Sequence, residues 1–305
     1  MKFALFLGCN IPARVPQYEL SARAVLDKLG VEIADNPEFK CCGNPIRNID
    51  QKTFIVMAAR NLALAEKQGL DMVVLCMCCF GSLKKAAHVM QHDPAVQAEV
   101  NGLLAKEGLH YSGKTEVKHL LSVLYHDIGL EALKAQAGNP FKTLKIATHY
   151  GCHALRPSDV TQFDDPVAPV VFDALVNATG AKSLDWPLKL ECCGAPLLGV
   201  NDPLSMELTR KKFADGKRAG ANYLCVACPY CHLQFDTVQQ TMASRQETAP
   251  YLESIVYPQL LGLAMGLDRD ALGMKIDIVE EVVAEPVEAK KPARRAKTGG
   301  AQAPE

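Results

Sequence analysis

Two hydrophobic rhythms take turns along the chain: short unbroken apolar runs, and longer stretches in which apolar residues recur every three or four positions. Residues 2–7 are an apolar run that ends in Gly8-Cys9, the pattern of a buried parallel strand delivering a residue to the carboxyl edge of a sheet. From Pro16, the residues Tyr18, Ala22, Val25, Leu26 and Leu29 repeat at helical spacing, with the proline in the first turn and Gly30 as the stop. A strand over 31–34 follows. Asp50 then caps a helix over 51–68, whose apolar face carries Phe54, Met57, Ala58, Leu62 and Ala65. Residues 72–75 read as a strand, and a further helix is expected to open near Phe80-Gly81-Ser82. Residues 94–138 read as mainly helical, with Val117, Leu120, Leu121, Leu124 and Tyr125 as the clearest amphipathic face.

The pattern then restates itself. The run 144–149 leads into Gly151-Cys152 as the first run leads into Gly8-Cys9; 167–179 matches the first helix, 203–219 the second, and 222–224 the strand that follows it. A closing helix over 251–267 is expected to pack on the second half. Strands alternating with helices in both halves predict the α/β class: two pseudo-symmetric tandem α/β domains built on small, mainly parallel sheets, with a helical connecting region. The expected organisation is a first domain with its connector over 1–138, a second with its closing helix over 139–283, and a disordered tail over 284–305. That tail is rich in Pro, Ala, Lys and Arg and has almost nothing to bury.

With 305 residues, 49% of them hydrophobic, the chain is long enough for two domains with ordinary cores and does not need disulfides to fold. A net charge of −1 and the lack of a basic stripe with interleaved aromatics make nucleic acid a poor candidate partner. No apolar run approaches the roughly 18 residues of a spanning helix, and the opening run shows no signal-peptide cleavage pattern, so the expectation is a cytoplasmic, non-spanning chain. Twelve cysteines in that reducing setting point to metal binding or catalysis rather than to structural disulfides.

Those cysteines are ordered. In the first half Cys9 is followed by Cys41-Cys42-Gly43 and then by Cys76-Met77-Cys78-Cys79; in the second, Cys152 is followed by Cys192-Cys193-Gly194 and then by Cys228-Pro229-Tyr230-Cys231. Aligning the last cysteines pairs Cys76 with Cys228 and Cys79 with Cys231, leaving Cys78 and Cys225 as unmatched extras. Each half therefore offers five matched thiols. The glycine after each vicinal pair has a physical reason, since turning two adjacent side chains toward one centre needs a tight backbone with φ > 0. Structural zinc and an ordinary four-iron cubane each take four ligands, and a thioredoxin-type CxxC uses one pair, so a larger or unusual iron centre fits five thiols better. His149, His153 and His232 lie within three residues of a candidate ligand, and with the thiols filling the ligand count they are assigned supporting roles.

The doubled order Gly-Cys, Cys-Cys-Gly, CxxC, together with the opening Leu7-Gly8-Cys9-Asn10-Ile11-Pro12-Ala13-Arg14 and Tyr18-Glu19, resembles the B subunit of heterodisulfide reductase and its bacterial relatives over residues 1 to about 265. The resemblance implies tandem cysteine-rich CCG domains, each binding a non-cubane 4Fe-4S cluster through five cysteines. The first cluster would use Cys9, Cys41, Cys42, Cys76 and Cys79, and the second Cys152, Cys192, Cys193, Cys228 and Cys231. It further implies an oxidoreductase acting on a sulfur group: a disulfide lying between the clusters receives one electron from each, and no catalytic residue beyond the clusters is obligatory. No nicotinamide or flavin fingerprint follows any predicted strand, so electrons must come from another subunit. The family supplies a small ferredoxin-like C subunit and a flavoprotein A subunit. A non-catalytic electron-relay or assembly module and a zinc-stabilised scaffold are the competing readings of the same cysteines.

Overall fold

The computed structural model describes residues 1–246, 251–275 and 278. Its first sheet holds β1 (Lys2–Phe6), β2 (Glu32–Ala34), β3 (Asp71–Val74) and β4 (Val117–His119) in the order β2-β1-β3-β4, with every neighbouring pair parallel. The second sheet repeats it: β5 (Lys145–His149), β6 (Lys182–Leu184), β7 (Tyr223–Val226) and β8 (Ser254–Val256) stand in the order β6-β5-β7-β8, again all parallel. The register repeats too, Phe6 lying opposite Val74 as His149 lies opposite Val226. The protein is thus of the α/β class, with two tandem pseudo-symmetric domains.

Local sequence explains the main elements. Phe3, Ala4, Leu5 and Phe6 are all buried, as a central parallel strand covered on both faces requires. The Gln51–Lys67 helix begins where Asp50 accepts from the Thr53 backbone N–H at 3.0 Å, and its counterpart Asp202–Arg218 begins where Asn201 accepts from the Leu204 N–H at 3.2 Å.

Both fourth strands depart from the sequence expectation. Val117, read as part of a helical face, lies in β4, and a helix begins only at Leu120. The closing segment likewise opens with β8 before the Tyr257–Ala264 helix. That helix does not pack on the second half alone: it lies against the Pro16–Lys28 helix of the first half as well as the Val171–Ala178 helix of its own, where Tyr257 Oη donates to the Leu175 carbonyl at 2.9 Å. The predicted tail over 284–305 lies outside the described residues. Among the described residues no helix is long and apolar enough to cross a membrane.

Candidate metal centres

Apart from Cys225, every cysteine sits at or just beyond the carboxyl end of a strand or in the loop that follows β2 or β6. Cys9 follows β1 and caps the Asn10–Arg14 helix, and Cys76 follows β3 and caps the Met77–His92 helix. In the second half Cys152 opens the Cys152–Leu155 helix after β5, and Cys228 caps Pro229–Ser244 after β7. In each sheet the two strands involved are the pair at which strand order reverses, where open α/β folds place ligands. The Met77–His92 helix begins earlier than the expected Phe80, so Cys78 and Cys79 lie in its first turn. Their thiols therefore face the positive end of the helix dipole, as does Cys231 in the matching helix.

The two CCG turns use their glycines as expected. Gly43 has φ 80° and Gly194 φ 96°, and a Cβ on Gly194 would stand 2.5 Å from the Ser205 carbonyl oxygen. Ser205 and Thr209 tie this turn to its helix, donating to the carbonyls of Gly194 (2.9 Å) and Cys193 (2.8 Å). In the first half Asn61 does the work, its Nδ2 donating to the Cys41 carbonyl at 3.3 Å and its Oδ1 accepting the Lys40 N–H at 2.8 Å. Lys212 occupies the matching helix position in the second half. It is fully buried, donates to the Leu188 carbonyl and lies 4.9 Å above the Trp186 ring. Burial lowers its pKa to about 8, opposed by the thiols of Cys193 and Cys231.

Within each half the thiols influence one another strongly. A hydrogen bond from Cys41, and a second from Cys79, hold Cys42 well below the usual thiol range. Cys9 is exposed, and a Cβ on neighbouring Gly8 would come within 2.8 Å of Cys79 Sγ. In the second half Cys192 is drawn down to about 2 by hydrogen bonds from Cys152 and Cys193, and Cys193 is pushed up to about 12, chiefly through its bond to Cys192. The Gly194 N–H also donates to Cys192 Sγ, at 3.4 Å. Bonds from Cys231, Cys76 and Cys78 hold Cys228 well below its ordinary value. Cys225 stands apart inside β7, fully buried, its thiol raised by burial.

The two sets meet. Cys76 Sγ lies 3.8 Å and Cys78 Sγ 4.0 Å from Cys228 Sγ, so Cys78, unmatched in sequence, sits at the junction of the halves. His153 Nδ1 is 3.0 Å from Cys78 Sγ. The backbone is equally close here, a Cβ on Gly81 meeting the His153 carbonyl oxygen at 2.7 Å. A cleft with about 10 Å³ free lies at this junction, lined by Met77, Cys78, His153, Cys193, Cys228 and Tyr230 among others. His119, which sequence reasoning missed, locks the junction: its Nε2 stands 3.3 Å from the Leu75 carbonyl oxygen and 3.2 Å from that of Ala227, the residues just before Cys76 and Cys228. Nδ1 accepts the Leu121 N–H at 3.1 Å, so Nε2 carries the proton. In the sequence His119 is a lone His beside Leu120 and Leu121, and β4, which places it, does not show there.

Do these residues suit an iron–sulfur centre? Two groups among the described residues can hold a metal ion, Cys76 with Cys78 and Cys228, and His149 with Cys193 and Cys231, the ligand atoms of each lying within 4.8 Å of one another. Among the described residues, the buried side-chain nitrogens and oxygens without a hydrogen-bond partner belong to Tyr18, His149 and Gln234. All three surround the cysteines: Tyr18 feels the thiols of Cys228 and Cys76, His149 adjoins Cys193 and Cys231, and Gln234 is bound to Ser205 and Thr209 beneath the second CCG turn. Unpartnered polar groups gathered around a dense thiol set fit a site built for a polar, sulfur-rich group. His232 faces elsewhere, bound at Nδ1 to Ser254 Oγ (2.8 Å) and at Nε2 to the Gln17 side chain (3.2 Å).

A family model described as a cysteine-rich domain matches residues 3–84 and again 146–236. The B subunit of the ferredoxin/F(420)H(2)-dependent CoB-CoM heterodisulfide reductase of Methanosarcina acetivorans is 38% identical over 92% of this chain and 95% of its own length. The chain belongs to the family of heterodisulfide reductase B subunits. Other relatives extend it: the heterodisulfide reductase B-subunit-like protein of Archaeoglobus profundus is 33% identical, covering 95% of this chain and 100% of that one. The 8-methylmenaquinol:fumarate reductase membrane anchor subunit of Wolinella succinogenes is 31% identical over 92% and 97%. Heterodisulfide reductase B subunits are components of oxidoreductases, and this chain is one of that kind. A solved hypothetical protein from Helicobacter pylori shares the fold, with a TM-score of 0.70 at 22% identity over 89% of this chain, which spans 50% of that one.

Proposed function

We propose that this chain is the iron–sulfur catalytic subunit of a cytoplasmic heterodisulfide reductase-like complex, holding two non-cubane 4Fe-4S clusters that act together on a disulfide lying between them, reducing it or, in reverse, forming it. The observation that carries this reading is the meeting of two repeated thiol sets, Cys76 of one half standing 3.8 Å from Cys228 of the other. Cys9, Cys41, Cys42, Cys76 and Cys79 would hold the first cluster, and Cys152, Cys192, Cys193, Cys228 and Cys231 the second. When bound, the clusters supply electrons one at a time to the sulfur–sulfur bond.

The chain's own residues do the rest. The opening turns of Met77–His92 and Pro229–Ser244 favour the negative charge that iron-bound thiolates carry. His119 fixes the spacing of the two cysteine-bearing strand ends. His153 and Tyr230 are the polar walls of the cleft, placed to orient a sulfur substrate, and His153 is held against Cys78 to carry a proton at Nδ1 or release it there. With no dinucleotide fingerprint in the sequence, the electrons would arrive from a ferredoxin-like C subunit fed by a flavoprotein A subunit.

Iron, acid-labile sulfide and zinc, measured on anaerobically purified protein, test this directly. About eight irons per chain are expected, four for each cluster. Stoichiometric zinc without iron would leave the chain a scaffold and end the proposal.

A further inference from the structure

The two sites are not equivalent, and the difference sits at one register position. Phe6 ends β1 opposite Val74, and His149 ends β5 opposite Val226. Phe6 packs edge-on against Phe39, with ring centroids 5.4 Å apart, and His149 packs edge-on against Phe235 at 5.3 Å. The partners differ, Phe39 lying in the loop after β2 and Phe235 in the Pro229–Ser244 helix, so from one register position the two rings turn to different neighbours. His149 is an imidazole, 1% exposed, whose ring the Lys189 backbone approaches without reaching hydrogen-bond geometry, and one of its nitrogens lies within 4.8 Å of Cys193 and Cys231 Sγ. A buried donor left without a partner is unfavourable, so such groups normally mark an acceptor that belongs to the working protein. In either neutral tautomer an imidazole has a single N–H to give.

We propose that His149 contacts the second iron–sulfur centre directly, donating its ring N–H to one of that centre's sulfurs, and that the first centre, with Phe6 at the same position, has no such contact. This rests on the reading of the thiols as two iron–sulfur centres. A donor hydrogen bond withdraws charge from the sulfur and favours the reduced state, so the second centre accepts an electron more readily than the first. Buried Lys212, where the first half has Asn61, acts in the same direction. His149 is thus a positioning and tuning residue, and the gradient between the halves would give electrons a direction.

The test uses the anaerobic protein with both centres loaded, its histidines labelled with nitrogen-15, and compares wild type with His149→Phe by iron content, a redox titration of each centre, and pulsed EPR. The expected result is unchanged iron, a fall in one potential only, and loss in the variant of a weak nitrogen-15 coupling. Iron-loaded His149→Phe with both potentials unmoved overturns the inference, and so does a large coupling typical of iron-bound nitrogen. Should His149→Phe shed the second centre's iron, His149→Gln, which keeps an N–H donor, decides: it retains that iron if the contact is a hydrogen bond, and losing it too assigns His149 to folding alone. Wild-type protein without iron would instead bring down the underlying reading.

Discussion

Cys78 and Cys225 separate two jobs a cysteine can have in this protein. Cys225 lies inside β7 with its thiol pushed up by burial, so it behaves as a small apolar side chain. Cys225→Ala should keep all the iron and cost about 1–2 kcal/mol in denaturant unfolding, as a modest cavity does; loss of iron would give Cys225 a ligand's role. Cys78 touches both Cys228 and His153. Its replacement by alanine should spare most of the iron and lower turnover, which iron analysis beside a turnover assay reads in one preparation. His119 makes a pH prediction. Burial holds its pKa at about 4 against an ordinary 6.5, so the folded state refuses a proton that the unfolded chain accepts. The folded pKa is lowered, so this stability is complete above the ordinary value and drains away as pH falls from 6.5 toward 4. The full span is worth about 3 kcal/mol. Denaturant midpoints taken between neutral pH and pH 5 should fall, and fall less in His119→Gln; equal slopes would remove His119 as the cause.

The short elements that carry cysteines are more exacting than the long ones that support them. Gly194→Ala would force φ 96° on a residue with a Cβ 2.5 Å from the Ser205 carbonyl oxygen, a strain of about 2–4 kcal/mol. The expected outcome is loss of the second half's iron with the first half's retained. Asp50→Ala, by contrast, removes only a helix cap, costs about 1 kcal/mol and leaves the iron content unchanged. The same contrast decides what could be read from sequence. β1 and β5 were readable because an apolar run ending in Gly8-Cys9 or Gly151-Cys152 has few other uses, and the long capped helices announce themselves at both ends. β4 and β8 span three residues each beside strongly helical patterns, too short for a period of two to show against a period of 3.6. The early start of the Met77–His92 helix was hidden because Met77-Cys78-Cys79 carries no cap residue; Cys76 makes no side-chain cap bond.

In the whole molecule the repeat matters less than the way its copies face each other. Spacing named the cysteines of each half, and the turn glycines followed from stereochemistry. Spacing could not show that the two strand-end crevices meet, that His119 bridges the Leu75 and Ala227 carbonyls, or that the Tyr257–Ala264 helix leans on the first half, because these depend on packing between distant segments. The junction makes the central claim testable, since two centres that share one cleft must fail together. Replace Cys193 by serine, and measure iron per chain beside disulfide turnover with an artificial electron donor. The shared cleft predicts that about half the iron remains while turnover is almost abolished. A Cys193→Ser protein that keeps half its iron and about half its activity would mean that each centre works alone, and would contradict it.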